Sequence, residues 1–308
     1  MKKKYLVVVV AISICIASCF SEKENIILVE EPNDAYDALK VELAQYTAEY
    51  NAENGVVLSR AGFWKRLRGF LFADAGGALM GASLGGWGAL FGAIYSSAVA
   101  GPVYSAIDDE YQEIIPVRPI EPIAPTDSLV MPLYDISTPE EPIEGEWGNI
   151  RSYVTVTSTG TGYLHNMILS KINETHPDVL IHVESPNLIA EYVTDEMEDE
   201  YGYVIPDASK NLLIQKVDSM SMVDIDWEYD DIVTYVNSLA PEYSNEFAII
   251  EDFVANVEPL GGRVAAVQNY LSGYLQIINS SNLTDEQKQL LITSIEVAAN
   301  SAVLWVVE

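Results

Sequence analysis

From Ala75 to Ile107 the chain runs for 33 residues without a charged side chain. Small residues recur through the first half of that run. Ala73, Gly77, Gly81, Gly85, Gly88 and Gly92 are separated by 4, 4, 4, 3 and 4 positions. At 3.6 residues per turn they fall on an arc of about 120° of a helix. The bulky residues Leu79, Met80, Trp87, Leu90 and Ile94 lie to the side of that stripe. A stripe of small residues lets two helix backbones approach closely, the device of membrane helix pairs. In water each interior glycine costs a helix roughly 0.8–1 kcal/mol relative to alanine. Such a helix therefore needs a membrane, a partner or a second helix of its own chain. Two arrangements satisfy it: insertion in a membrane or self-association along the stripe, and a buried helical hairpin broken near Gly85-Gly86.

The segment preceding it favours the membrane option. Arg60, Lys65, Arg66 and Arg68 cluster beside Phe63 and Trp64. Phe63, Trp64, Lys65, Arg66 and Arg68 together have the character of a contact with an anionic lipid surface.

The N-terminus points to export. Lys2, Lys3 and Lys4 precede an apolar run over residues 5–14, shorter than the roughly 20 residues a spanning helix needs. Small residues follow, the tripartite pattern of a secretory signal. Ile16-Ala17-Ser18-Cys19 resembles the lipobox of bacterial lipoproteins. That resemblance implies cleavage before Cys19 and acylation of its sulfur, making membrane lipid a partner through Cys19. Several acyl chains, at about 0.8 kcal/mol per buried methylene, give a stable anchor. Position +2 is Phe20, not the aspartate that retains such proteins in the inner membrane, and Ser21-Glu22-Lys23-Glu24 resembles the acidic tether of surface lipoproteins. The expected location is the outer membrane, with its external face open.

Loss of residues 1–18 removes three lysines and no acid, leaving 13 basic against 46 acidic residues, net −33. Phosphate backbones repel such a chain, so nucleic acid is not an expected partner. Cys15 leaves with the signal and Cys19 is lipidated, so no thiol remains for a disulfide, a metal or a nucleophile. Stability must come from packing.

Composition divides the chain into a signal (1–18), a tether (19–33), a segment containing a helix, the basic stretch and the glycine zipper (34–107), an acidic linker (108–148) and a helical domain (149–308). The linker carries seven prolines between Pro116 and Pro142, a density that reads as extended chain. This division predicts that a chain beginning near Gly148 folds by itself. Tyr36, Leu39, Leu43, Tyr46 and Tyr50 recur at helical steps over 34–53. Further helices are predicted over 164–174, 187–200, 207–219, 228–239, 242–257 and 260–279. A last helix opens with Thr284-Asp285-Glu286-Gln287, a capping-box pattern. Residues 153–157 and 179–183 alternate like short strands. The fold class is therefore mainly α: a glycine-zipper hairpin plus a multi-helix C-terminal domain with at most a small β element.

Motifs for catalysis are incomplete. Gly160-Thr161-Gly162 after a strand pattern is similar to the start of a dinucleotide unit, but His165 stands at the third glycine and the later strands are missing. Asp224-Ile225-Asp226-Trp227-Glu228-Tyr229 resembles the active strand of family-18 chitinases, with Glu228 as the acid, and Ser83-Leu84-Gly85-Gly86-Trp87 echoes that family's glycine strand. Ser221 stands where the family's first aspartate belongs, and the alternating strands of a barrel are lacking. The acidic run lacks the glycine and final glutamate of a calcium hand. The three histidines, His165, His176 and His182, do not assemble a zinc motif. No metal or cofactor is expected.

The order of parts is similar to that of uncharacterised Bacteroidota-type lipoproteins with a glycine zipper. The matching pieces are Trp64-Lys65, Ala73-Asp74-Ala75-Gly76-Gly77, Gly162-Tyr163-Leu164-His165-Asn166, and a closing helix with Ser301 and Trp305. That resemblance implies export and architecture and supplies no mechanism. The expected function is a non-enzymatic envelope protein whose zipper inserts in membrane or self-associates. The alternative is a surface binding module with the zipper as core, and the third is an exported glycan-processing enzyme.

Overall fold

A computed structural model of the 308-residue chain describes residues 34–56, 62–82, 86–106, 160–176, 179, 186–201, 207, 210–212, 214–215, 240–260 and 263–304. Eight α-helices have described bounds, α1 (Asp34–Asn54), α2 (Gly62–Ala82), α3 (Gly86–Ala106), α4 (Thr161–Thr175), α5 (Pro186–Tyr201), α6 (Ser244–Val257), α7 (Val264–Ser280) and α8 (Asp285–Leu304), and residues 207, 210–212 and 214–215 are helical too. Single 3₁₀ turns, Pro241–Tyr243 and Glu258–Leu260, flank α6. No strand occurs among the described residues, so the mainly α class holds. Of the two segments with strand patterns, 153–157 and 180–183 lie outside the described residues, and Val179 sits in a turn.

Local sequence accounts for several helix ends. After α1, Gly55 adopts φ +62° and the Val56 amide donates to the Asn51 carbonyl at 3.0 Å, a Schellman closure that needs the left-handed conformation glycine allows. At the start of α8 the Thr284 amide donates to Gln287 Oε1 at 3.0 Å, and the Gln287 amide donates back to Thr284 Oγ1 at 3.3 Å. These reciprocal bonds are the capping box that the sequence signalled. Pro259 has no amide to extend α6, and the chain turns there.

Helices α2 and α3 form a tight antiparallel hairpin. The three residues joining them, Gly85 among them, lie outside the described ones. The stripe therefore does not continue along one helix; it folds back on itself. Helix α8 is the axis of the body. Every residue from Leu291 to Leu304 is buried, and the helix packs against α2, α4, α6 and α7. Ser294, Ala298, Ala299, Ser301 and Ala302 keep it thin enough for neighbours on several sides. Helix α4 bridges α8 and α3, and α5 covers α3 and α4.

Helix α1 buries Tyr36, Leu39 and Leu43, while hydrogen bonds tie it to α6 and α7. Tyr36 donates to Glu246, Lys40 Nζ donates to Asn245 at 2.7 Å, and Tyr50 donates to the Ala266 carbonyl at 2.9 Å. Thr47 and Tyr270 hydroxyls lie 2.9 Å apart, and the Tyr46 ring stacks on Tyr270.

One core draws on helices from both sides of the proline-rich segment. Phe70, Phe72, Leu79, Leu90 and Ile94 of the hairpin share it with Phe247, Ile250, Ile292 and Ile295. Segment 34–107 and the C-terminal helices thus do not enclose separate cores. The physical reason is that α8 is buried all round from Leu291 to Leu304, its polar residues included, and the hairpin covers one side of it.

Candidate functional site

At the centre of the hairpin, the stripe glycines Gly77, Gly81 and Gly92 meet the opposite backbone. A Cβ on Gly77 would strike the Gly92 carbonyl and Ser96, and one on Gly81 would strike the Gly88 carbonyl. Gly92 in turn faces the Gly77 carbonyl. Ala73, at the head of the stripe, is partly buried against the core. The glycines are consumed by contact within one chain. On the outer side of α2, Gly76 faces only Phe247 Cε1, at an ordinary 3.6 Å.

One turn from this contact lies a closed cluster of polar side chains from four helices. Asp74 comes from α2, Ser97 from α3, His165 and Asn166 from α4, and Asn300 and Ser301 from α8; none is more than 1% exposed. Ser97 Oγ lies 2.5 Å from Asp74 Oδ1 and 2.9 Å from His165 Nε2. Ser301 Oγ donates to Asp74 Oδ2 at 2.5 Å. His165 Nδ1 lies 3.0 Å from Asn166 Oδ1, and Asn166 Nδ2 donates to the Asn300 carbonyl at 2.8 Å. Asn300 Nδ2 caps the Glu296 carbonyl at 2.9 Å, and Gly162 packs on the same carbonyl. Gly162 thus serves helix contact, where a dinucleotide reading would have it cradle a phosphate. Burial pushes the His165 ring down to about 4, only partly offset by its bond to Asn166, so the ring is uncharged at neutral pH.

Serine, histidine and aspartate in contact invite comparison with a hydrolytic triad. In a triad the acid holds one ring nitrogen and the serine the other. Here Asp74 and Ser97 both approach Nε2, the acid at 3.9 Å, and Nδ1 is taken by an amide. Complete burial also denies a substrate access. The arrangement crosslinks four helices and offers no nucleophile to a ligand.

Arg68 points inward. Its Nε and Nη2 both lie 3.2 Å from Glu258 Oε2, and Glu258 is fully buried. This corrects its assignment to a lipid-facing surface: the guanidinium answers a carboxylate inside the body. Desolvation raises the Glu258 carboxyl to about 7 against the opposing pull of Arg68, and its Oε1 has no hydrogen-bond partner. Phe63, Trp64, Lys65 and Arg66 stand on the first turns of α2, outside the described side chains. Cys19 and the acidic run with Glu228 lie outside the described residues. The Gly86-Trp87 end of the chitinase-like echo opens helix α3, not a barrel strand, and Trp87 is buried. Among the described residues no group of three or more potential metal ligands gathers, and no helix is long and apolar enough to cross a membrane.

Asp74 is the charged residue immediately before the uncharged run, a signal that did not by itself mark it as part of a site. Asp74, His165, Asn166 and Ser301 also stand in the motifs that resemble the glycine-zipper lipoproteins. Nothing in their spacing placed them together. Comparison of the chain with protein-family models, with curated proteins and with solved structures finds no match.

Proposed function

We propose that this is an exported, lipid-anchored envelope protein without catalytic activity, a helical binding module for which the glycine zipper is the core. The observation that carries this is the facing of Gly77 and Gly81 with Gly92 and Gly88 inside one hairpin. A stripe already filled by its own chain is not available to a second copy or to a membrane partner. The anchor rests on Cys19 and its lipobox, and the outer membrane is the proposed site. The mature charge of −33 suits a partner with cationic groups and disfavours nucleic acid.

The test uses the mature chain with Cys19→Ser, which lacks the acyl anchor, in flotation with liposomes with and without anionic lipid. The protein is expected to stay monomeric and to remain with the aqueous fraction. Stable flotation, or crosslinking to oligomers that Gly81→Leu abolishes, would restore membrane insertion or self-association as the function of the stripe.

A further inference from the structure

We propose that Asn54-Gly55, at the C-terminal end of α1, is a self-modification site: the Gly55 nitrogen attacks the Asn54 side chain, the amide leaves as ammonia, and the aspartate or isoaspartate that results loosens the last turn of α1 from α6 and α7.

This is the single Asn-Gly pair in the chain. Glycine matters because the attacking atom is its backbone nitrogen. Without a Cβ, nothing on Gly55 obstructs the turn that brings that nitrogen onto Asn54 Cγ. Both residues are exposed, and a Cβ on Gly55 would meet nothing within 4 Å, so water reaches the pair and the backbone has room to move. Gly55, at φ +62°, has already left the helix. Two hydrogen bonds hold the pair. Asn54 Nδ2 donates to the Tyr50 carbonyl at 2.9 Å, and the Val56 amide donates to the Asn51 carbonyl at 3.0 Å. Both sit at a helix end, where local opening needs far less free energy than unfolding of the body. Two asparagine–serine pairs serve as references. Asn279-Ser280 is exposed, but Ser280 carries a Cβ and both residues belong to α7. Asn300-Ser301 is fully buried in α8.

The chemistry needs only water. Hydroxide removes the Gly55 amide proton, and the nitrogen attacks Asn54 Cγ. The N–Cγ bond forms, the Cγ–Nδ2 bond breaks, and Nδ2 leaves as ammonia, taking a proton from water and regenerating the hydroxide. The product is a cyclic imide, and water then adds to one of its carbonyls. Opening at the side-chain carbonyl leaves an aspartate with the original chain path. Opening at the backbone carbonyl leaves isoaspartate, in which the main chain runs through the former side chain. The sum is amide plus water giving acid plus ammonia, with no change of oxidation state.

Either product sets an anion at the C-terminus of α1, where the unpaired carbonyls already form the negative end of the helix dipole. Isoaspartate also adds a methylene to the backbone, which breaks the closure of Val56 on Asn51. That last turn carries Tyr50, whose hydroxyl donates to the Ala266 carbonyl, and Asn51, whose amide donates to Asn256 at 3.1 Å. These bonds tie α1 to α7 and α6 at this end. Modification therefore frees the end of α1 and leaves its buried start, with Tyr36, Leu39 and Leu43, in place.

The test incubates the full mature chain with Cys19→Ser at pH 8 for several days and follows its asparagines by peptide mapping. The Asn54-Gly55 peptide should convert to aspartate and isoaspartate ahead of Asn279-Ser280, with Asn300-Ser301 unchanged. In urea it should convert on the order of tenfold faster, because the two hydrogen bonds are gone. Asn54→Gln should abolish the conversion and leave the fold intact. Hydrogen exchange of the converted protein should be faster in the last turn of α1 and unchanged in α8. A native chain whose Asn54-Gly55 peptide stays intact while the urea sample converts overturns the proposal. So does a converted chain in which the last turn of α1 is protected as in the parent.

Discussion

Gly81 and Gly88 meet backbone to backbone: a Cβ on Gly81 would lie inside contact distance of the Gly88 carbonyl, with no flexible side chain between to yield. Gly81→Ala, Gly77→Ala and Gly92→Ala should each destabilise the monomer by at least the roughly 1–3 kcal/mol typical of overpacking, although alanine is the better helix former. Gly76→Ala meets only Phe247 Cε1 at 3.6 Å and should be neutral or stabilising by up to about 1 kcal/mol. Urea denaturation of the four variants compares them directly. Equal effects at Gly76 and Gly81 would contradict the hairpin contact.

Glu258 gives a separate dependence on pH. Its carboxyl is raised to about 7 when folded, by desolvation first. Between the unfolded value near 4.3 and about 7 the folded state therefore binds the additional proton. Its contribution to stability declines as pH rises through that window. Glu258→Gln should consequently gain stability relative to the parent at pH 8 and gain little at pH 4.5. The difference should be on the order of 2 kcal/mol, since each tenfold change in proton affinity is worth about 1.4 kcal/mol and water screens part of it. Thermal or urea unfolding at both pH values reads it out. A Gln variant less stable at pH 8 would mean that the Arg68 pair outweighs the desolvation.

Arg68→Ala removes the cation paired with that carboxylate. At pH 8 it should cost about 3–5 kcal/mol, the usual penalty for stranding half of a buried pair. At pH 5, where Glu258 is protonated, the cost should shrink toward that of lost packing. Denaturation curves at the two pH values separate charge from packing.

A chain beginning near Gly148 should unfold broadly and resist proteolysis poorly. It keeps α8 and α6 but loses Phe70, Leu71, Phe72, Leu79, Leu90 and Ile94, which share their core. Phe247 loses its ring contact with Phe72 at 5.8 Å, and Tyr270 loses those with Tyr46 and Tyr50. Adding residues 34–107 as a separate polypeptide should restore protection. A sharp melt from the truncated chain by itself would refute the shared core.

The anchor is tested by Cys19→Ala. Palmitate labelling should vanish and unprocessed precursor should accumulate in the inner membrane. Normal labelling of the variant would remove the lipobox from consideration.

Periodicity in the sequence determined the helical class, because a 3.6-residue repeat writes one buried face into α1, α6 and α7. It also located the capping box at Thr284 and, in one of its two arrangements, a break near Gly85-Gly86, where α2 ends at Ala82 and α3 begins at Gly86, since caps and glycines act within a few residues. The glycine stripe announced that two backbones must approach. It left open whose backbone, because a small residue permits contact without naming the partner. Tertiary structure decided that the partner is the same chain folded back, so Gly77 serves Gly92. It also decided the role of α8. Ser294, Glu296, Asn300 and Ser301 have the composition of a solvent face, and only the neighbours that enclose them make them buried. Asp74, Ser97, His165 and Ser301 are 68 and more residues apart except for the first two, which lie 23 apart. No local rule connects them. They meet because a buried polar group must find its hydrogen-bond partner wherever packing brings one, and packing is a property of the whole chain.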